Sequence, residues 1–216
     1  TTLKTRIVAH NQQVVRFDRE TRKAISSDCI KKILHRISEL VDDLHTIVIS
    51  DYNKGVVTEE LLDGIRQIVI TKNVRVCVDP KRSDLSFYRG FDVITPNHHE
   101  AENALGVEDL NGNEVGKAEL VREKAIRLIN RLHLKALLIT RGEEGMSLYE
   151  SEGMVTHIPT QARAIYDVTG AGDTVIGVFS LCLAAGATFR EAAEIANSAA
   201  GIVVGKVGTA TVSRDE

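Results

Sequence analysis

The sequence predicts an α/β fold, a mostly parallel sheet flanked by helices on both faces. Three observations predict it. Short strand-like runs alternate with segments of helical periodicity through the middle of the chain, as successive β-α-β units do. A run such as TIVIS (46–50) is apolar without a break, as a strand covered on both faces would be. Four runs end in polar clusters, at 51–55, 79–81, 97–100 and 141–145. That gathers four polar loops at the carboxyl ends of neighbouring strands, the edge where ligands of such sheets bind.

The elements follow in order. Residues 3–20 carry two β-branched runs on either side of His10-Asn11, a hairpin or edge pair. In 28–44, Ile30, Ile33, Leu34, Ile37, Leu40, Val41 and Leu44 recur at helical spacing, with Ser27 or Asp28 as N-cap. After TIVIS and the DYNKG loop, Thr58 caps a helix bearing Leu61, Leu62, Ile65, Ile68 and Val69. VRVCV (74–78) is a strand ending in Asp79-Pro80-Lys81; DVIT (92–95) is another, followed by Pro96-Asn97 and a helix to about Leu105. An amphipathic helix covers about 117–133, ALLIT (136–140) is a strand, and MSLY and MVTHI pair around Glu152-Gly153. From Asp167 the pattern turns helical to about Ala185, Gly186 stops it, and Thr188 with Glu191 forms the capping box of a last helix.

Composition bounds the function. With 216 residues the chain is one large domain or part of a larger one, at roughly 100–200 residues per domain. A net charge of −3 excludes nucleic-acid binding by bulk electrostatics. Apolar residues at 43% and charged residues at 26% exclude a disordered chain. Aromatics are 4% and Trp is absent, so the core is aliphatic and rich in Ala. Cys29, Cys77 and Cys182 lack CxxC spacing and sit in apolar runs, which reads as three buried hydrophobes in a reducing, cytoplasmic protein. No apolar run approaches the roughly 18 residues of a membrane span, so no membrane partner is expected.

The richest chemistry lies in Asp167-Val-Thr-Gly170-Ala171-Gly172-Asp173, at the start of a helix. Two glycines around an alanine let the backbone turn tightly, and a helix N-terminus presents N–H groups and a positive dipole end to an anion. An acid in the first turn can accept the proton of a hydroxyl attacking that anion, as phosphoryl transfer to an alcohol requires. The alternative is a glycine-rich turn with Asp173 as a helix-start residue. Two commoner phosphate motifs fail. Gly201 to Lys206 has one residue too few between its glycines for a P-loop and continues to Val207. Gly170-x-Gly172 continues to Val175 instead of a third glycine, so the dinucleotide fingerprint fails as well. Asn97 and Glu100 fit a capping box by spacing alone.

DVTGAGDTVIG closely resembles the signature of the ribokinase-like (PfkB) carbohydrate kinases. TPNHHEAE resembles that family's Asn-x-x-Glu motif, and LLITRGEEGM its nucleotide-binding strand and turn. HNQQVVRFD, SDYNKGVV, VDPKRSDLSFYRG and AAGIVVGKVGTATVS narrow the resemblance to kinase modules acting on D-glycero-D-manno-heptose 7-phosphate. The resemblance implies a ribokinase-like fold with part of a β lid at 1–20. It implies phosphorylation of the anomeric hydroxyl from ATP with Mg²⁺, serving ADP-heptose and lipopolysaccharide synthesis. Asp173 would then be the base, and Gly170, Ala171 and Gly172 the anion hole. Asn97 and Glu100 would organise Mg²⁺ and the ATP phosphates, with His98 and His99 as their neighbours. Thr140, Arg141, Gly142, Gly145 and Asn197 would meet the nucleotide, and Lys54, Asp79 and Lys81 the phosphosugar. Asp167 and Thr169 resemble the monovalent-cation (K⁺) site of some relatives. Nothing matches the family's opening strand–helix segment, so the resemblance implies a kinase domain that starts within its lid, with a homodimer expected for the whole protein. Two alternatives stay open: another sugar or nucleoside kinase, and a portion that binds nucleotide without turnover.

Overall fold

The computed structural model describes residues 3–9, 12–110, 116–162, 166–213 and 215–216. The first two runs form an antiparallel hairpin, β1 (Leu3–Ala9) and β2 (Gln12–Arg19), with its register shifted between Ile7 and Val8. The expected turn at His10-Asn11 lies outside the described residues. The hairpin is a two-stranded sheet of its own, and Leu3, Ile7, Val15 and Phe17 stand exposed on one face of it.

Helix α1 (Ser27–Leu40) follows, then β3 (Thr46–Ser50), α2 (Glu59–Val69), β4 (Arg75–Asp79) and β5 (Val93–Ile94). Next come α3 (His98–Leu105), α4 (Lys117–Leu132), and strands β6 (Ala136–Thr140), β7 (Met146–Glu150) and β8 (Val155–Ile158). Helices α5 (Ala171–Ala184) and α6 (Phe189–Val204) close the fold. The six strands lie in the order β3-β4-β5-β6-β7-β8, the first three pairings parallel and the last two antiparallel. Alternation along β6 divides the core: Leu137 and Ile139 pack with Leu62, Tyr88 and Ile129, while Ala136 and Leu138 pack with Phe179 and Ala196 of α5 and α6. The second cluster is aliphatic and Ala-rich as composition requires, with Ala192, Ala193 and Ala196 fully buried.

Three expectations change. TIVIS is a strand, but it is the edge strand of the described sheet, and Val48 is 42% exposed. An unbroken apolar run reports that a strand is covered along its length, and an edge position leaves part of it open. Cys29 is exposed, because it stands in the first turn of α1 on the outward side; Cys77 alone of the three is fully buried. The cap of α1 is Ser26, whose Oγ accepts from the Cys29 N–H at 3.3 Å, one residue before the expected Ser27. Residues 201–204 lie inside α6, so their glycine has no loop to shape. Among the described residues no helix is long and apolar enough to cross a membrane.

Candidate active site

The parallel order brings the carboxyl ends of β3, β4, β5 and β6 side by side, and the start of α5 faces them. Between them lies a cleft of about 470 Å³, lined by Tyr52, Asp79, Lys81, Asn97, Glu100 and Asp173 among others. Thus most of the polar residues singled out along the sequence meet in one space.

Gly170 is the N-cap of α5 at φ +85°, a left-handed conformation that a side chain would strain. No side chain caps this helix, so its positive end faces the cleft. A Cβ on Gly172 would meet no protein atom within 4 Å, so its missing side chain leaves room for a ligand. The Ala171 N–H is already engaged by the Val168 carbonyl at 3.2 Å. Asp173 stands in the first turn of α5, and both its carboxylate oxygens accept from the Tyr52 hydroxyl, at 3.1 and 3.0 Å. Burial, Asp173 and Asp79 together hold the Tyr52 phenol above its usual range.

Asn97 and Glu100 form the capping box of α3. Asn97 Oδ1 accepts from the Glu100 N–H at 2.9 Å, and Glu100 Oε2 accepts from the Asn97 N–H at 3.0 Å. The other Glu100 oxygen accepts from Lys81 Nζ at 2.7 Å, which raises the lysine's pKa. The cap orients this pair and leaves the outer carboxylate oxygen toward the cleft. Half-buried Asp79 is pushed up to about 7, first by burial and then by the charges of Glu100 and Asp173. Three carboxylates thus face one lysine, and the negative charge is unbalanced. That fits a hydrated divalent cation. No group of three or more His, Cys, Asp or Glu among the described residues could cage one directly, so it would be held through waters, as Mg²⁺ commonly is. His98 and His99 line the same cleft with their rings 3.9 Å apart, and His99 Nδ1 turns to Glu102 at 3.2 Å.

A mostly apolar slot of about 160 Å³ adjoins the cleft, with Thr140, Gly142 and Gly172 lining both. Gly145, Met146, Asn197 and Ala200 form its wall. Asn197 is buried, its Nδ2 donating to the Pro159 carbonyl at 2.8 Å. Gly145, at φ +87°, is a necessity of the turn: a Cβ there would sit 2.1 Å from the Ile158 carbonyl oxygen.

Two expected residues point elsewhere. The Arg141 guanidinium leaves the slot for the opposite face of the sheet, where it bonds Glu144 and donates to Ser147 Oγ at 3.3 Å. It lines a separate cavity of about 350 Å³ with Lys117, Arg122 and His157. Lys117 pairs there with Asp109 at 3.8 Å and Arg122 with Glu119 at 3.2 Å. Lys54 lies outside the lining of the cleft and is paired with Glu20, at the end of the hairpin. Asp167 accepts from the Thr169 N–H at 2.9 Å, and its carboxyl is held low by Thr169 and by the Gly208 N–H, so these three residues do meet.

Sequence reasoning missed four residues of this region. Tyr52 is one. The others are Asp51, Tyr88 and Arg82: buried Asp51 accepts from Tyr88 Oη at 2.7 Å and Arg82 Nε at 3.3 Å, bracing the loop that carries Tyr52. The polar cluster at 51–55 was the available signal, but nothing in its spacing singled out the tyrosine.

The pfkB family carbohydrate kinase profile matches residues 1–216. Among curated proteins, the chain is 48% identical over 216 residues to the bifunctional protein HldE of Geotalea uraniireducens (strain Rf4), covering 100% of this chain and 43% of that protein. The bifunctional protein HldE of Geobacter sulfurreducens is 46% identical over the same 216 residues and shares. The chain therefore spans less than half the length of these relatives. Among solved structures, phosphofructokinase-2 from Escherichia coli in complex with potassium superposes with a TM-score of 0.79 at 22% identity, covering 99% of this chain and 67% of that one. Ribokinase from Giardia lamblia gives 0.74 at 20% identity, covering 97% and 67%. At such identities these structures show a shared fold.

Proposed function

The chain belongs to the pfkB family of carbohydrate kinases, and from that premise we propose that it phosphorylates the anomeric hydroxyl of D-glycero-D-manno-heptose 7-phosphate. ATP is the donor, the 1,7-bisphosphate is the product, and the reaction is a cytoplasmic step toward ADP-heptose and the lipopolysaccharide core. One observation carries the reading: Asp173 stands on the cleft in the first turn of α5, beside a glycine turn and an uncapped helix N-terminus. The sugar assignment is supported by the subfamily strings in the sequence and by the two bifunctional HldE proteins named above.

Asp173 accepts the proton of the anomeric hydroxyl as that oxygen attacks the γ-phosphorus. The bond from phosphorus to the β,γ-bridging oxygen breaks, and ADP leaves. The charge that spreads over the transferred oxygens is met by the end of α5 at 170–172. The slot takes the base between Gly145, Asn197 and Ala200, and Thr140 and Gly142 carry the phosphates from slot to cleft. Asn97 and Glu100 organise the phosphate end. Lys81 exchanges Glu100 for phosphate, and Asp79 accepts from sugar hydroxyls. Lys54 reaches the sugar phosphate when it leaves Glu20. Glu100 and the phosphates would hold Mg²⁺ through waters, and the ion would offset charge on ATP. Asp167 and Thr169, beside Gly208, are the residues for K⁺. The whole protein is a homodimer.

The test is ATP turnover with heptose 7-phosphate, fructose 6-phosphate and ribose. We expect heptose 7-phosphate to be preferred. Equal turnover of fructose 6-phosphate would make the chain a different sugar kinase, and no turnover with any sugar would make it a nucleotide-binding portion. Asp173→Asn should lower kcat by about 10²–10⁴ while leaving the KM for ATP nearly unchanged.

A further inference from the structure

Tyr52 lies in the SDYNKGVV string, but the resemblance gives it no role. The residue is 52% exposed, yet its hydroxyl spans 121 positions of sequence to reach both oxygens of Asp173. At 3.1 and 3.0 Å, both carboxylate oxygens lie within bonding reach of the one hydroxyl proton. The loop beneath is braced, since Asp51 accepts from the Asn53 N–H, Tyr88 and Arg82. Above, the Lys4 ammonium of β1 lies 5.9 Å from the centre of the Tyr52 ring. Lys54, two residues along, is tied to Glu20 just after β2. Tyr52 therefore stands between the hairpin and the base, its ring facing the Lys4 ammonium of the one and its hydroxyl bonded to the other.

A carboxylate whose two oxygens share a donated proton is a hindered base. Any hydroxyl that is to give Asp173 its proton must first displace the phenol or compete with it. A sugar phosphate brings many other contacts with which to do so, whereas a single water brings none. We propose that Tyr52 is a positioning residue that aims Asp173 and latches it against water until an acceptor sugar displaces the phenol. The proposal rests on the reading of Asp173 as base. In the reaction the latch allows, the sugar hydroxyl gives its proton to Asp173, its oxygen bonds the γ-phosphorus, and ADP departs. In the reaction it suppresses, water takes the place of the sugar and free phosphate is released. Tyr52 keeps its own proton in both.

Tyr52→Phe keeps the ring under Lys4 and deletes only the O–H. Sugar-independent ATP hydrolysis and sugar phosphorylation are measured side by side for the parent, Tyr52→Phe, Asp173→Asn and the double variant. Tyr52→Phe is expected to raise the ratio of hydrolysis to transfer at least tenfold, with the KM for ATP and the melting temperature unchanged. The gain should vanish in the double variant. If Asp173→Asn abolishes transfer but Tyr52→Phe leaves the ratio unmoved, the latch is overturned and the base stands. If the hydrolysis gain survives in the double variant, the latch does not act through Asp173 and is likewise overturned. If Asp173→Asn leaves transfer intact, the base reading fails and takes the latch with it. No turnover of either kind in Tyr52→Phe also overturns the latch, because an unlatched base must turn over water.

Discussion

Asp79 shows how one side chain records the purpose of the space around it. Its carboxyl is pushed up to about 7 by burial and by Glu100 and Asp173, with Asp51 adding to the push and Lys81 opposing it. An unfolded Asp titrates near ~3.9, so the folded chain holds this proton more tightly than the unfolded chain does. Stability is therefore lost as pH rises from about 4 through about 7. Asp79→Asn removes the titration. It should melt at a higher temperature than the parent at pH 8, with the gap closing toward pH 4; a pH-independent gap would contradict the account. The pair Asn97 and Glu100 teaches a different lesson. Spacing makes these residues a cap and the resemblance makes them part of a site; the cap engages only one oxygen of Glu100, and the other remains turned to Lys81 and the cleft.

At the scale of elements, the site depends on turns that tolerate one residue type. Gly145 joins the end of β6 to β7 through the bond from the Arg141 N–H to its carbonyl, 2.8 Å long, while its missing Cβ admits the Ile158 carbonyl of β8. Gly145→Ala meets that oxygen and a left-handed backbone together, so it should cost at least about 1–2 kcal/mol, the conformational share alone. It should also weaken ATP binding, because the slot wall shifts. Thermal melts and an ATP titration check both, and a parent-like melt would show that the turn relaxes freely. The same turn explains the fate of Arg141. Residues on β6 alternate between faces, so a side chain one step beyond Thr140 points away from the slot that Thr140 lines.

For the whole molecule, the hairpin is the exposed element with most to hide. Two strands alone are marginal in water, and Leu3, Ile7, Val15 and Phe17 present an apolar face on the side opposite Lys4, which looks toward Tyr52. A homodimer, as proposed, would cover that face. Sedimentation should give twice the chain mass for the parent and a monomer for Phe17→Asp, and a monomeric parent would refute the arrangement. Residues and spacing alone determined the α/β class, most of the element order, both capping boxes and the glycine turn ahead of Asp173. All of these are written in contiguous residues, through periodicity, turn chemistry and helix caps. The tertiary structure alone decided that β3 is an edge, that Lys54 is held by Glu20, and that Arg141 serves the far face. It alone set Tyr52 on Asp173. Those facts depend on which strand lies beside which and where each side chain ends, and local spacing carries no information about partners 121 residues away.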